Sequence, residues 1–210
     1  MRKILIALIV LTLFASSSFA ENIKLPEPNN TGGMPLNEAA TLRHTARDFS
    51  DVEITLQELS DLLYVSAGAN RGNGLRVYPV AMGLQDTFVY VFTRDGVCKF
   101  DAPSHSLELI AEGDKRNELS KAPFVSKAAV TLVYVHDMKL WEGTKAPKEL
   151  VAQWCFAHTG AIMQNAYLFA ASKGWNAVVQ GTFNNEKLRE ILKLNDEQNI
   201  TLIHSIGPKP

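Results

Sequence analysis

Residues 158–184, HTGAIMQNAYLFAASKGWNAVVQGTFN, carry the reading on which the fold turns. Apolar side chains from Ile162 to Ala171 continue a helix entered near Pro147 and running to Lys173. Gly174 then stands where a helix C-terminus accepts a residue in the left-handed conformation. The period changes at once: Trp175 to Gly181 is short and β-branched at Val178-Val179, so it reads as a strand. Asn184 opens another helix, to Leu194. Helix, strand and helix in such close succession imply an α+β chain with its elements interleaved.

The neighbouring segments extend this pattern. AAVTLVYV (128–135) is a continuous apolar run of the kind a strand buried on both faces shows, and ITLIHSIG (200–207) is a last strand. TFVYVFT (87–93), the turn RDG and VCKFD (97–101) form a hairpin, with HSLELIA (105–111) adding a short third strand. Thr55 and Glu58 make a capping box ahead of Leu56, Leu59, Leu62 and Leu63, which recur at helical spacing. SAGANRGNG (66–74) breaks that helix as a loop. Asn37 is placed to cap a short helix toward His44. ENIKLPEPNNTGGMPL (21–36) reads as an extended arm, leaving 37–210 as one domain without internal repeats.

Residues 1–20 have a basic start (Arg2, Lys3), an apolar run from Ile4 to Phe14 and a small-residue exit at Ser18-Phe19-Ala20. That is the layout of a cleaved signal peptide, so the expected location is outside the cytoplasm, in a periplasm, with no membrane contact after cleavage; an uncleaved N-terminal anchor is the alternative. A formal net charge of -1 gives no bulk pull toward nucleic acid or acidic lipid. Cys98 and Cys155, in a strand and a helix, read as two separately buried thiols; a disulfide is the alternative.

Nucleotide-loop and hydrolase motifs (Walker, GxGxxG, GxSxG) are absent. The five histidines are dispersed, with no pair at the spacing that offers a metal two ligands from one helix. Cys155 and His158 share a helix face, but nothing nearby in sequence completes a thiol nucleophile. RHTARDFS (43–50) clusters two arginines, a histidine and a threonine. It is either a solvated helix end or an anion grip, since forked guanidinium donors and a hydroxyl suit a phosphate.

Four pieces of the chain, in order, resemble the FMN-dependent nitroreductase family: RHTARDF followed by SAGANR; LRVYPVAMGLQDTFVYVF; HTGAIMQNAYLFAASKGWNAVVQGTFN; and the closing IGPKP. The resemblance implies a three-layer α/β/α fold on a mixed, mainly antiparallel sheet, as an interlocked homodimer. It implies FMN at the subunit interface, its phosphate and ribityl chain held by Arg43, His44, Thr45 and Arg47, with Lys209 adding charge. Pro79, Val80, Ala81 and Met82 would lie along the flavin ring, and Val179, Gln180 and Gly181 would approach its reactive edge. The implied activity is two-electron hydride transfer through flavin N5, from a donor such as NAD(P)H to a nitroaromatic, quinone-like or other small acceptor. Catalytic side chains and metals are not demanded, because the flavin performs the chemistry. Gln164 and Asn165 would be structural, at a helix-packed subunit interface.

Two positions depart from the family pattern. Val80 stands where a serine is usual, and Gly83 where a ring-contacting asparagine is expected. They motivate the rival expectation of an exported, non-catalytic binding protein on the same fold, with weak FMN binding or none. Export also makes NAD(P)H, scarce outside the cytoplasm, an awkward physiological donor. The peptide-azoline oxidase-like subgroup is the nearer one by SAGANR and AMGLQD.

Overall fold

The structure is a computed structural model describing residues 22–210. The signal-peptide reading of residues 1–20 therefore lies outside the described residues. The elements are β1 (Asn22–Lys24), α1 (Leu36–Leu42), α2 (Leu56–Ala67), β2 (Thr87–Phe92), β3 (Gly96–Asp101), β4 (Ser106–Glu112), α3 (Arg116–Leu119), β5 (Val130–Asp137), α4 (Lys148–Ser172), β6 (Trp175–Gln180), α5 (Asn185–Leu192) and β7 (Gln198–Pro208). The strands form one sheet in the order β1-β4-β3-β2-β5-β7-β6. Its pairings among the described residues are all antiparallel, so the sheet is antiparallel rather than mixed.

Alternation along the central strands builds the layers. Val89 and Val91 of β2 and Val130, Leu132 and Tyr134 of β5 pack with Leu62 and Leu63 of α2 and Ile162 and Ala166 of α4. Tyr90, Phe92, Val133 and Val135 point the other way and meet Leu119 of α3 and Leu188 and Leu192 of α5. Because β5 is buried on both faces, it has no polar face to show, and its sequence reads as an unbroken apolar run.

Helix ends follow from local chemistry. At α2, Thr55 Oγ1 accepts from the Glu58 amide and Glu58 Oε2 accepts from the Thr55 amide, a complete capping box. Leu59, Leu62 and Leu63 are buried, whereas Leu56 is exposed. Gly174 takes φ +69 after α4, which a side chain would resist. Helix α1 differs from expectation: Pro35 occupies the N-cap, and Asn37 sits inside the first turn without capping it. The arm also differs. It opens with β1, paired to the edge of β4, and continues with Leu25 buried. Ser60 Oγ donates to the Pro26 carbonyl at 2.6 Å, and the Asn29 amide donates to Asp61 Oδ1 at 2.8 Å. The extended segment is thus fastened to its own domain. No helix among the described residues is long and apolar enough to cross a membrane.

Candidate functional site

Strand β6 lies at the sheet edge, and the segment carrying Arg43 to Ser50 runs beside it. The Ala46 amide donates to the Ala177 carbonyl at 3.0 Å, and Asn176 Nδ2 to the Asp48 carbonyl at 2.6 Å. The Ser50 amide donates to the Pro208 carbonyl at 2.9 Å. A strand edge that would expose unpaired backbone is thereby covered. Gly207 permits the close fit, since a Cβ there would stand 2.9 Å from the Ala129 nitrogen and 3.4 Å from the Phe49 ring. The Ser50–Pro208 bond brings the end of β7 to this segment and sets exposed Lys209 next to it.

Tyr167 of α4 is the node of this edge. The Val179 amide donates to its hydroxyl oxygen at 3.0 Å, and Thr45 Oγ1 lies 3.1 Å from the same atom. The Arg43 guanidinium carbon stands 5.4 Å from the Tyr167 ring centre, and that of Arg47 stands 5.9 Å from the Phe124 ring centre. Neither guanidinium forms an ion pair among the described residues. His44 donates its Nδ1 proton to the Leu42 carbonyl at 2.8 Å, so that proton is spent on the end of α1. Behind Tyr167, the buried His204 ring lies tilted by 46° with its centre 4.5 Å away; burial depresses its pKa to about 3.

Beyond Val179, the chain leaves the sheet at Gly181 and borders a cleft of about 860 Å³, lined in part by Asn117, Ser120, Lys121, Gln180, Thr182 and Phe183. The Gln180 Oε1 atom is buried without a hydrogen-bond partner. An acceptor in that position lacks a donor.

The segment Pro79 to Met82 lies elsewhere on the protomer. Pro79 and Met82 are exposed, Val80 packs on the main core, and Ala81 packs beside Trp141 and Cys155. The Ala81 amide donates to His158 Nε2 at 2.9 Å. His158 and Tyr167 are nine residues apart on α4, so this segment and the Thr45 contact attach about 14 Å apart along the helix axis. One protomer therefore gathers Arg43, Thr45, Arg47, Val179 and Lys209 at one edge, and holds Pro79, Val80, Ala81 and Met82 at another place.

Sequence reasoning missed Tyr167 and a buried network around Asp86. Fully buried Asp86 accepts from His158 Nδ1 at 2.8 Å, Trp141 Nε1 at 2.9 Å, Thr87 Oγ1 at 2.8 Å and Cys155 Sγ at 3.2 Å. Burial alone would raise its pKa, but these hydrogen bonds, led by that from His158, outweigh burial and leave it lowered. The Cys155 thiol is pushed up to about 12 by burial and by the Asp86 charge, so it is no nucleophile. Cys98 is buried as well, and both thiols are free. Gln164 is exposed and Asn165 half-buried.

Comparison with known proteins agrees with this architecture. Residues 40–208 match the sequence profile of the Nitroreductase family. A protein of Methanocaldococcus jannaschii that carries a nitroreductase name is 27% identical over 184 residues, covering 83% of this chain and 90% of its own. The crystal structure of a nitroreductase-designated protein from Ralstonia eutropha JMP134 is 36% identical with a TM-score of 0.84, over 90% of each chain. The NADPH:FMN oxidoreductase of Vibrio harveyi, complexed with NAD+, shares the fold at 19% identity and a TM-score of 0.62, over 83% of this chain and 68% of its own. With a matched profile spanning most of its length, the chain belongs to the nitroreductase family of oxidoreductases.

Proposed function

We propose that the protein is an FMN-dependent oxidoreductase of nitroreductase type, exported and acting as a homodimer, that passes two electrons from a donor to a small nitroaromatic or quinone-like acceptor. The observation that carries this reading is the pair of guanidinium groups of Arg43 and Arg47. They lack carboxylate partners among the described residues; that of Arg43 lies over the Tyr167 ring whose hydroxyl meets Thr45, and that of Arg47 over the Phe124 ring.

The residues present fit the cofactor. Two forked cations and a hydroxyl match a phosphate dianion, with Lys209 adding charge. The orphaned Gln180 Oε1 suits a ring N–H, and a cleft of about 860 Å³ is of the size that small-molecule sites occupy. When bound, the flavin supplies the two-electron chemistry. Arg43, Thr45 and Arg47 bind and orient the phosphate end. Tyr167 holds Val179 in place, so that Val179, Gln180 and Gly181 border the ring.

A homodimer accounts for the separation of the two site segments, because the Pro79–Met82 segment of one copy can meet the β6 edge of another. Exposed Met82, Leu140 and Phe156 supply apolar surface for a second copy to cover. The nicotinamide named with the Vibrio harveyi protein supports NAD(P)H as a donor in vitro. For a chain exported by residues 1–20, we assign the physiological role to another donor.

A second reading, a binding protein without turnover, is favoured by Val80 and Gly83, which offer the ring no polar side chain. Purification of the mature protein separates the two. Yellow protein that bleaches on reduction without oxygen supports the oxidoreductase; colourless protein that FMN cannot reconstitute overturns it.

A further inference from the structure

We propose that His158 and Asp86 are positioning residues that fix the backbone of the 79–83 loop. This deepens the flavin reading in one respect, since the loop's use in holding a ring rests on it; the tether itself does not.

The loop needs an external restraint. Val80 is extended, Ala81 to Gly83 make one tight turn, and Met82 adopts φ 54, ψ 14, a left-handed conformation that costs free energy for a residue with a side chain. Gly83 follows at φ +73. The turn is closed internally by the Leu84 amide donating to the Ala81 carbonyl at 3.1 Å. It is anchored to the helix layer by the Ala81 amide on His158 Nε2 at 2.9 Å.

That anchor dictates the state of the imidazole. A backbone N–H can only donate, so Nε2 must present a lone pair, and the ring proton resides on Nδ1, facing Asp86 Oδ1 at 2.8 Å. Asp86 thus selects the tautomer that can receive Ala81. The carboxylate is itself immobilised by Trp141, Thr87 and Cys155, and the backbone carbonyl of Asp86 accepts from the Asp137 amide at 2.9 Å. Carboxylate, imidazole and amide form a buried relay that transmits the rigidity of α4 and β5 to an exposed turn. Val80 and Gly83 bring no polar group of their own to that turn, so its shape depends on the tether.

Two variants and a control amide test this without relying on activity. Leucine at position 158 removes the acceptor; glutamine can donate to Asp86 and accept from Ala81. In the flavin-free protein, His158→Leu is expected to speed hydrogen exchange of the Ala81 amide at least ten-fold, while the Val179 amide, held by Tyr167, keeps its protection. His158→Gln is expected to restore most of the Ala81 protection. Nitrogen chemical shifts of His158 in the wild type should report the Nδ1–H tautomer. FMN affinity should fall about ten-fold in His158→Leu and recover in His158→Gln. Unchanged Ala81 exchange, equal acceleration at Ala81 and Val179 without rescue, or an Nε2–H tautomer would each overturn the proposal. A wild type that binds no FMN would defeat the flavin reading alone, because the exchange data still decide the tether.

Discussion

The Val179 amide donates to the Tyr167 hydroxyl oxygen at 3.0 Å, joining the C-terminal part of α4 to the far end of edge strand β6. The same oxygen meets Thr45 Oγ1 at 3.1 Å, so one phenol ties together three segments. Tyr167→Phe leaves the Val179 N–H without its acceptor. The expected loss is about 1–2 kcal/mol of stability, read by urea unfolding. FMN affinity should weaken several-fold, read by flavin fluorescence, because Thr45 and Val179 both lose their brace.

Replacing Arg43 and Arg47 together with alanine should weaken FMN binding by at least ~100-fold, since each charge-assisted hydrogen bond is worth roughly 1.5–3 kcal/mol. Folding stability should change little, as neither side chain forms an ion pair among the described residues. Lysine at both positions keeps the charge but loses the fork, and should recover only part of the affinity. Retention of FMN by the double alanine variant would remove both residues from the phosphate site.

Acid should destabilise the fold through His204. Burial holds its imidazole near a pKa of about 3 in the folded chain, against about 6.5 when unfolded. Between these values the unfolded chain binds a proton that the folded chain refuses. Stability therefore falls as pH drops through that window, by about 1.4 kcal/mol per pH unit from this group. Urea unfolding across pH 4–8 should show the wild type losing its margin over His204→Gln below about pH 6.5, with a flat difference above it.

Val80→Ser with Gly83→Asn should tighten FMN binding by roughly ten-fold, because each restored polar contact is worth about 0.5–1.5 kcal/mol. Position 83 can accept the change: a Cβ there meets nothing within 4 Å, and asparagine tolerates its φ of +73 better than most residues. Isothermal titration of the flavin-free protein reads the gain. Weaker binding would show that the turn does not face the ring.

Much of the fold was legible because single elements carry their own signals. Strand β5 is buried on both faces and reads as an unbroken apolar run; α2 announces itself by its capping box; Gly174 marks the exact junction of α4 and β6. Strand β1 was hidden in a Pro- and Asn-rich arm, since three residues form it only because β4 offers an edge. Helix α3, of four residues, is too short to show a period. Among candidate site residues, the arginines and threonine stood in one local pattern. Tyr167 did not, because its partner Thr45 lies 122 residues away. Cys155 and His158 resembled a thiol–imidazole pair on one helix face, and what the sequence concealed was Asp86, which takes a hydrogen bond from each.

The bond from the Ser50 amide to the Pro208 carbonyl fixes an order of events in biosynthesis. A nascent polypeptide exposes its arginines early, yet β7, the strand that steadies their segment, is translated well after them. Such long-range pairing forms slowly. If flavin loads at this edge, loading must wait for β7, and forms cut short before that strand should remain colourless however much flavin surrounds them.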